Sequence, residues 1–272
     1  MPDDPERFFF LHVQKTAGTT LMRRLQRQFG ERAVYPDPSD ENERGDAVIS
    51  VHQLQERFRA RGDEIRVITG HFPLCVAEVL GGGFTTLTVL REPVERTLSY
   101  LRHRQRDAPE DRHKSLEEIY ADPYRFDGLV HNHMTKMFSL SAGEATAWMD
   151  WVTKAFSRPR EETTAWILTK VDFTPERLER AKEGLASVDA IGLQERFEEF
   201  CAELSRRFGW DLGPRLYENR SEARDVSDSF RARIAEDNAM DVELYEYGRE
   251  LCERRGSALS GGSGRVSRDP GR

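Results

Sequence analysis

The sequence predicts an α/β fold, a three-layer sandwich around a central parallel sheet, and three observations carry that prediction. "RFFFLHV", residues 7 to 13, is a continuous apolar run of strand length, the pattern of a strand covered on both faces. "FTTLTVL", residues 84 to 90, is rich in β-branched residues, which suit a pleated, half-buried surface. Each run passes through a short turn into a helical pattern, and strands that alternate with helices assemble a parallel sheet through right-handed crossovers.

The elements follow in order. After the first strand, Leu21, Leu25 and Phe29 recur every fourth residue, predicting a helix from Thr20 that stops at Gly30. "EIRVITGHF", residues 64 to 72, reads as a second strand ending at Gly70. Beyond the third strand, Pro93 suits the first turn of a helix whose inner face is Val94, Leu98 and Leu101. "RDAPEDRHK", residues 106 to 114, reads as a solvated loop, and Ser115 with Glu118 matches a capping box. Thr174 and Pro175 open another helix, with Leu178, Ala181 and Leu185 inward. "VDAIGL", residues 188 to 193, supplies a short strand; Phe197, Phe200, Leu204 and Phe208 mark the helix after it, stopped by Gly209. Residues 239 to 253 read as a last helix. A single domain over residues 1–255 is expected, followed by a disordered Gly/Ser-rich tail over 256–272 that is too poor in apolar groups to fold.

Of the 272 residues, 38% are hydrophobic and fifteen are Phe, enough for a sizeable core despite 33% charged residues. The net charge of −7 argues against a general nucleic-acid or anionic-membrane binder, so an anion site would have to be local. Cys75, Cys201 and Cys252 are scattered without CxxC spacing, which speaks against a disulfide framework and for a reducing compartment. "MPDDPERFFF" lacks the basic flank of a secretory signal and the length of a membrane span, so a cytoplasmic location without stable membrane insertion is expected.

The chemistry concentrates in "HVQKTAGTT", residues 12 to 20. A small-residue loop between a strand's carboxyl end and a helix N-terminus presents backbone N–H groups and the positive end of the helix dipole to an anion. Gly18 permits close backbone approach, Thr16, Thr19 and Thr20 add hydroxyls, and Lys15 adds a mobile positive charge. In the triphosphate loop GxxxxGK[ST] the glycines precede the lysine, whereas here the lysine comes first. An ordinary strand-to-helix turn with a solvated lysine is the other reading of so short a pattern.

The third strand narrows the choice. Where a magnesium-dependent nucleotide-triphosphatase often ends a strand in a metal-holding Asp, this strand runs into Arg91 of "LREPVERTLSYLR", and an arginine meets an anion. Ser99 lies two helical turns further on. Pairing of Arg91 with Glu92 or Glu95 is the alternative. Two anion-ready strand ends in one sheet point to a ligand with two anionic heads.

These two segments resemble the 5′-phosphosulfate loop and the 3′-phosphate motif of sulfotransferases that use 3′-phosphoadenosine 5′-phosphosulfate (PAPS), especially the branch containing heparan sulfate 2-O-sulfotransferase and its bacterial relatives. Gln14 stands where the family commonly has Pro, and Ala17 where it has the first Gly. "IGLQERFEEFCAEL" and "NAMDVELYEYG" resemble later family segments more weakly. The resemblance implies a P-loop-like nucleotide-binding core in which Lys15, Thr16, Ala17, Gly18, Thr19 and Thr20 hold the 5′-phosphosulfate and Arg91 and Ser99 bind the 3′-phosphate. Similar "GH" segments in the family place the general base at His71, a role that suits an imidazole titrating near neutral pH; a histidine that merely caps the strand end is the alternative.

Sulfuryl transfer builds negative charge on the departing phosphate oxygen, so a cation there favours the transition state over the ground state, and Lys15 is the candidate. No metal is required. In "HNHMTKMFS", residues 131 to 139, His131 and His133 lack a third ligand at helical spacing; the segment resembles one in which an Arg often stands at the position of Lys136, and an amphipathic helix face is the plainer reading. Asn219 lies in an N-R-S sequon. "RHRQR", residues 102 to 106, offers positive charge to an acidic acceptor or forms a solvated helix end.

The expected activity is therefore sulfuryl transfer from PAPS to an acceptor hydroxyl by in-line displacement with a general base, releasing 3′-phosphoadenosine 5′-phosphate (PAP). The acceptor stays open among a glycan, a lipid and a small molecule, without nucleic acid, and the oligomeric state stays open too. A nucleoside-triphosphate-dependent small-molecule kinase and a non-catalytic nucleotide-binding protein are the rival readings.

Overall fold

The computed structural model describes residues 6–36, 50–157, 171–214 and 226–261. Its strands are β1 (Arg7–Leu11), β2 (Val34–Tyr35), β3 (Val67–Gly70), β4 (Phe84–Leu90) and β5 (Ala190–Leu193). They form one sheet in the order β2-β3-β1-β4-β5, with every pairing parallel. The α-helices are α1 (Gly18–Phe29), α2 (Val51–Arg61), α3 (Val76–Val79), α4 (Pro93–Asp107), α5 (Leu116–Tyr120), α6 (Pro123–Arg125), α7 (His133–Ser139), α8 (Ala142–Ser157), α9 (Pro175–Ser187), α10 (Phe197–Phe208), α11 (Asp228–Asp237) and α12 (Ala239–Gly261). A π-helical turn, Phe126–Val130, precedes α7.

The predicted α/β sandwich is the observed one, and β1 shows why. Successive strand side chains point to opposite faces. Phe8 and Phe10 join Leu21 and Leu25 of α1 and Phe197, Phe200 and Leu204 of α10 in one buried cluster. Phe9 and Leu11 join Met134 and Met137 of α7, Leu178 and Leu185 of α9, and Leu244 of α12 in another. Phe8 also meets Phe208 and Trp210 edge-on, with ring centroids 5.3 and 4.7 Å away, an arrangement that aromatic quadrupoles favour. A third cluster packs Leu98 and Leu101 of α4 against Ile119, Tyr120, Phe230 and Ile234.

The run at 84–90 is a strand over its full length, whereas those beginning at 7, 64 and 188 pair over fewer residues than their apolar character suggests. Ser115 and Glu118 form the anticipated capping box, Thr174 caps α9 by accepting from the Arg177 N–H, and Gly209 ends α10 at φ 71°. β2 is too short for periodicity to reveal. α2 does carry a legible start: Ser50 and Gln53 bond reciprocally at 3.2 and 3.0 Å, a capping box of the S-x-x-Q type. α1 begins at Gly18, two residues before the predicted Thr20, and α12 continues to Gly261, into the segment expected as tail. Asn219 and residues 262–272 lie outside the described residues.

Candidate active site

Parallel strands deliver all their carboxyl ends to one edge of the sheet, where open α/β folds bind ligands. β1 lies between β3 and β4, with Leu11 opposite both Gly70 and Thr88. The loop after β1 therefore emerges between His71, which follows β3, and Arg91, which follows β4. Three hydrogen bonds tie the loops together. The His12 N–H donates to the Gly70 carbonyl at 3.0 Å, His71 Nδ1 lies 2.7 Å from the His12 carbonyl, and Arg91 Nη1 donates to the Lys15 carbonyl at 3.1 Å.

The loop is held in a costly conformation. Lys15 and Ala17 adopt left-handed backbone at φ 67° and 69°, which costs roughly 1–2 kcal/mol for each residue with a Cβ. Such strain gathers where a fold presents backbone groups to a ligand. No side chain caps α1 and its first turn holds no acidic residue, so the positive end of the helix is left for an anion. The Thr16 side chain is buried and its hydroxyl donates to the Val13 carbonyl at 2.8 Å, closing the loop. Thr19 is exposed, and Thr20 half-buried, at the mouth of the helix. Gly18 also answers a steric need of its own. A Cβ there would sit 1.8 Å from His12 Cδ2, so glycine admits the imidazole of His12.

Two cations flank this helix end. Lys15 is half-buried, and among the described residues its ammonium forms no hydrogen bond or ion pair. Burial pushes its pKa down, helped by Arg106 and Arg91 and opposed by Asp107. Burial also lowers the pKa of Arg91, whose Nε is buried without a partner. Glu92 and Glu95 do not pair with Arg91. Glu92 caps α4 by accepting from Val94 N and Glu95 N at 3.0 and 2.7 Å, and Glu95 pairs with Arg231. Ser99 is half-buried on α4, beyond Arg91 along the chain.

His71 stands on the other side. A carbonyl can only accept, so the contact with the His12 carbonyl assigns the proton to Nδ1 and leaves the lone pair of the neutral ring on Nε2. That is the tautomer a general base needs. The ring of His12 lies 4.5 Å from that of His71 and stacks on Phe10 at 5.5 Å. Burial, then the nearby His71 and Lys15, hold His12 well below the ordinary imidazole range, so it is neutral. Its position at a strand end, next to the polar loop, was the available sequence signal.

"RHRQR" divides between structure and site. Arg104 bonds Asp111, and Gln105 donates to the Lys114 carbonyl, both fixing the turn after α4. His103 and Arg106 share Asp107, and charge from Arg106 reaches Lys15.

"HNHMTKMFS" is no amphipathic face, because every residue of α7 is buried. The rings of His131 and His133 part company: His131 stacks on Phe126, while His133 packs near Trp148 with both ring nitrogens unpartnered. Burial lowers the pKa of Lys136 to about 7, and its ammonium points at the Asp127 and Gly128 carbonyls. The segment is anchored by "NAMD". Asn132 N donates to Asn238 Oδ1 at 2.8 Å, and Asp241 accepts from Met134 N, Thr135 N and Thr135 Oγ1 at 2.9, 2.7 and 2.8 Å. Among the described residues no group of at least three His, Cys, Asp or Glu side chains is arranged to hold a metal ion, and no helix is long and apolar enough to cross a membrane.

Comparison with known proteins adds an independent finding. The model of the family described as "Sulfotransferase family" matches residues 1–248. Heparan-sulfate 6-O-sulfotransferase 2 of Danio rerio is 26% identical over 295 residues, which cover 90% of this chain and 58% of that protein. The chain thus spans little more than half the length of that relative.

Proposed function

The chain belongs to the sulfotransferase family, and from that premise we propose that it transfers a sulfuryl group from PAPS to a carbohydrate hydroxyl by in-line displacement. The observation that carries this reading is an uncapped helix N-terminus with Lys15 on its loop, Arg91 bonded to that loop and His71 held against its start through the His12 carbonyl. PAPS supplies a sulfuryl group activated by a phosphate leaving group, together with a separate 3′-phosphate. The buried, unpartnered Arg91 Nε and the open helix end fit such a two-headed anion.

Each residue then has a distinct task. Backbone N–H groups at the start of α1, with Ala17, Gly18, Thr19 and Thr20, cradle the 5′-phosphosulfate. Lys15 neutralises the charge that grows on the departing phosphate oxygen, an interaction stronger in the transition state than in the ground state. Arg91 and Ser99 hold the 3′-phosphate. The Nε2 of His71 takes the acceptor proton. A carbohydrate acceptor is supported by the name of the 6-O-sulfotransferase relative, and the free thiols of Cys75, Cys201 and Cys252 suit a reducing, cytoplasmic setting.

His71→Asn tests the base. The Asn amide can still donate to the His12 carbonyl but cannot accept a proton at neutral pH, so transfer from radiolabelled PAPS to a glycan panel falls by about 100- to 10,000-fold. PAP binding, read by calorimetry, stays unchanged. Full turnover in this variant would remove His71 from the chemistry.

A further inference from the structure

We propose that the imidazole of His12 is a positioning residue that couples the donor loop to the base, an inference that rests on the sulfuryl-transfer reading above. Three surfaces of that ring are occupied. One stacks on Phe10, with centroids 5.5 Å apart and planes 10° from parallel. Another meets the His71 ring at 4.5 Å and 46°. A third lies so close to Gly18, the first residue of α1, that a methyl group there would fall 1.8 Å from His12 Cδ2 and 2.0 Å from Nε2.

The main chain of His12 reaches the same two places. Its N–H donates to Gly70, and its carbonyl receives His71 Nδ1. His12 is thus the shared wall between the anion-binding helix end and the histidine that faces the acceptor. His12 and His71 are half-buried, but the ring of His12 fills the space beside Gly18 and meets that of His71, so a displacement of the α1 N-terminus on anion binding is passed through the ring to His71. In-line displacement needs the hydroxyl, sulfur and leaving oxygen held in one line, and small misplacements there are costly. The ring sets that spacing without touching either substrate.

The test uses protein with isotope-labelled histidine rings, the His71 signals being assigned by their loss in His71→Asn, and PAP as the probe. In the wild type, PAP shifts the His71 ring signals. In His12→Ala, PAP binds by calorimetry with unchanged affinity, but the shift at His71 is lost. In His12→Phe, which restores a flat ring of similar span, the shift returns. If His12→Ala does not fold, His12→Asn takes its place with the same expectation. A His71 shift that persists in the small variant overturns the coupling. Loss of PAP binding in that variant overturns it too, since the ring would then belong to the donor site. Wild-type protein that binds PAP with no response at His71 overturns this inference alone, whereas wild type that binds no PAP removes the donor reading and the inference with it.

Discussion

Lys15→Met lowers the turnover number for sulfuryl transfer by about 100- to 1,000-fold while weakening PAP binding far less, the magnitude seen when one preorganised donor to a developing anion is removed. Methionine keeps an unbranched stem of similar length and deletes the charge. Because the ammonium forms no ion pair among the described residues, its removal strands no carboxylate. The protein should therefore unfold at the same temperature or slightly higher, since burial already disfavours the charged form. The split matters. An unchanged turnover number with weakened PAP affinity would mean that Lys15 binds ground and transition states alike, and the catalytic role would fall.

Asp241→Ala costs about 3 kcal/mol of stability, roughly 6–12 °C in melting temperature for a chain of this size. The carboxylate is fully buried and accepts three hydrogen bonds from the start of α7. Truncation leaves Met134 N, Thr135 N and Thr135 Oγ1 without their acceptor and deprives the buried Arg96 of a nearby opposite charge. Arg96 itself donates to the Val130 carbonyl at 3.0 Å, so the disturbance reaches the end of the π-helical turn. Calorimetric melting of wild type and variant decides the point, and a change below about 1 kcal/mol would show that water can replace the carboxylate.

The alternation of apolar strands with helices, the turns at Gly30 and Gly209 and the caps at Ser115 and Thr174 were legible because each is a local pattern within a few residues. So was the meeting of the loops that carry Lys15, His71 and Arg91, because parallel strands place every carboxyl end on one edge. Local patterns fail where long-range contacts decide. Lys136 on a buried helix and the union of Asn132 with Asn238 depend on segments far apart in the chain, so a polar stretch read as an amphipathic face proved to be core. The bond of the Thr16 hydroxyl to the Val13 carbonyl three residues away was not legible either, because a hydroxyl in an anion loop invites a ligand role first. In the sequence His12 had no assigned role, and only the space opened by Gly18 reveals what its ring touches.

Thermal unfolding with PAP in EDTA, with ATP plus magnesium, and without ligand separates the donor reading from its rivals. A ligand at about a hundred times its dissociation constant stabilises by roughly 2.7 kcal/mol, a shift of several degrees here. PAP in EDTA should raise the midpoint by that amount, and Arg91→Ala should abolish the rise. A rise with ATP and magnesium alone would mean that the loop at Lys15 cradles a triphosphate, and the sulfuryl-transfer reading would be wrong.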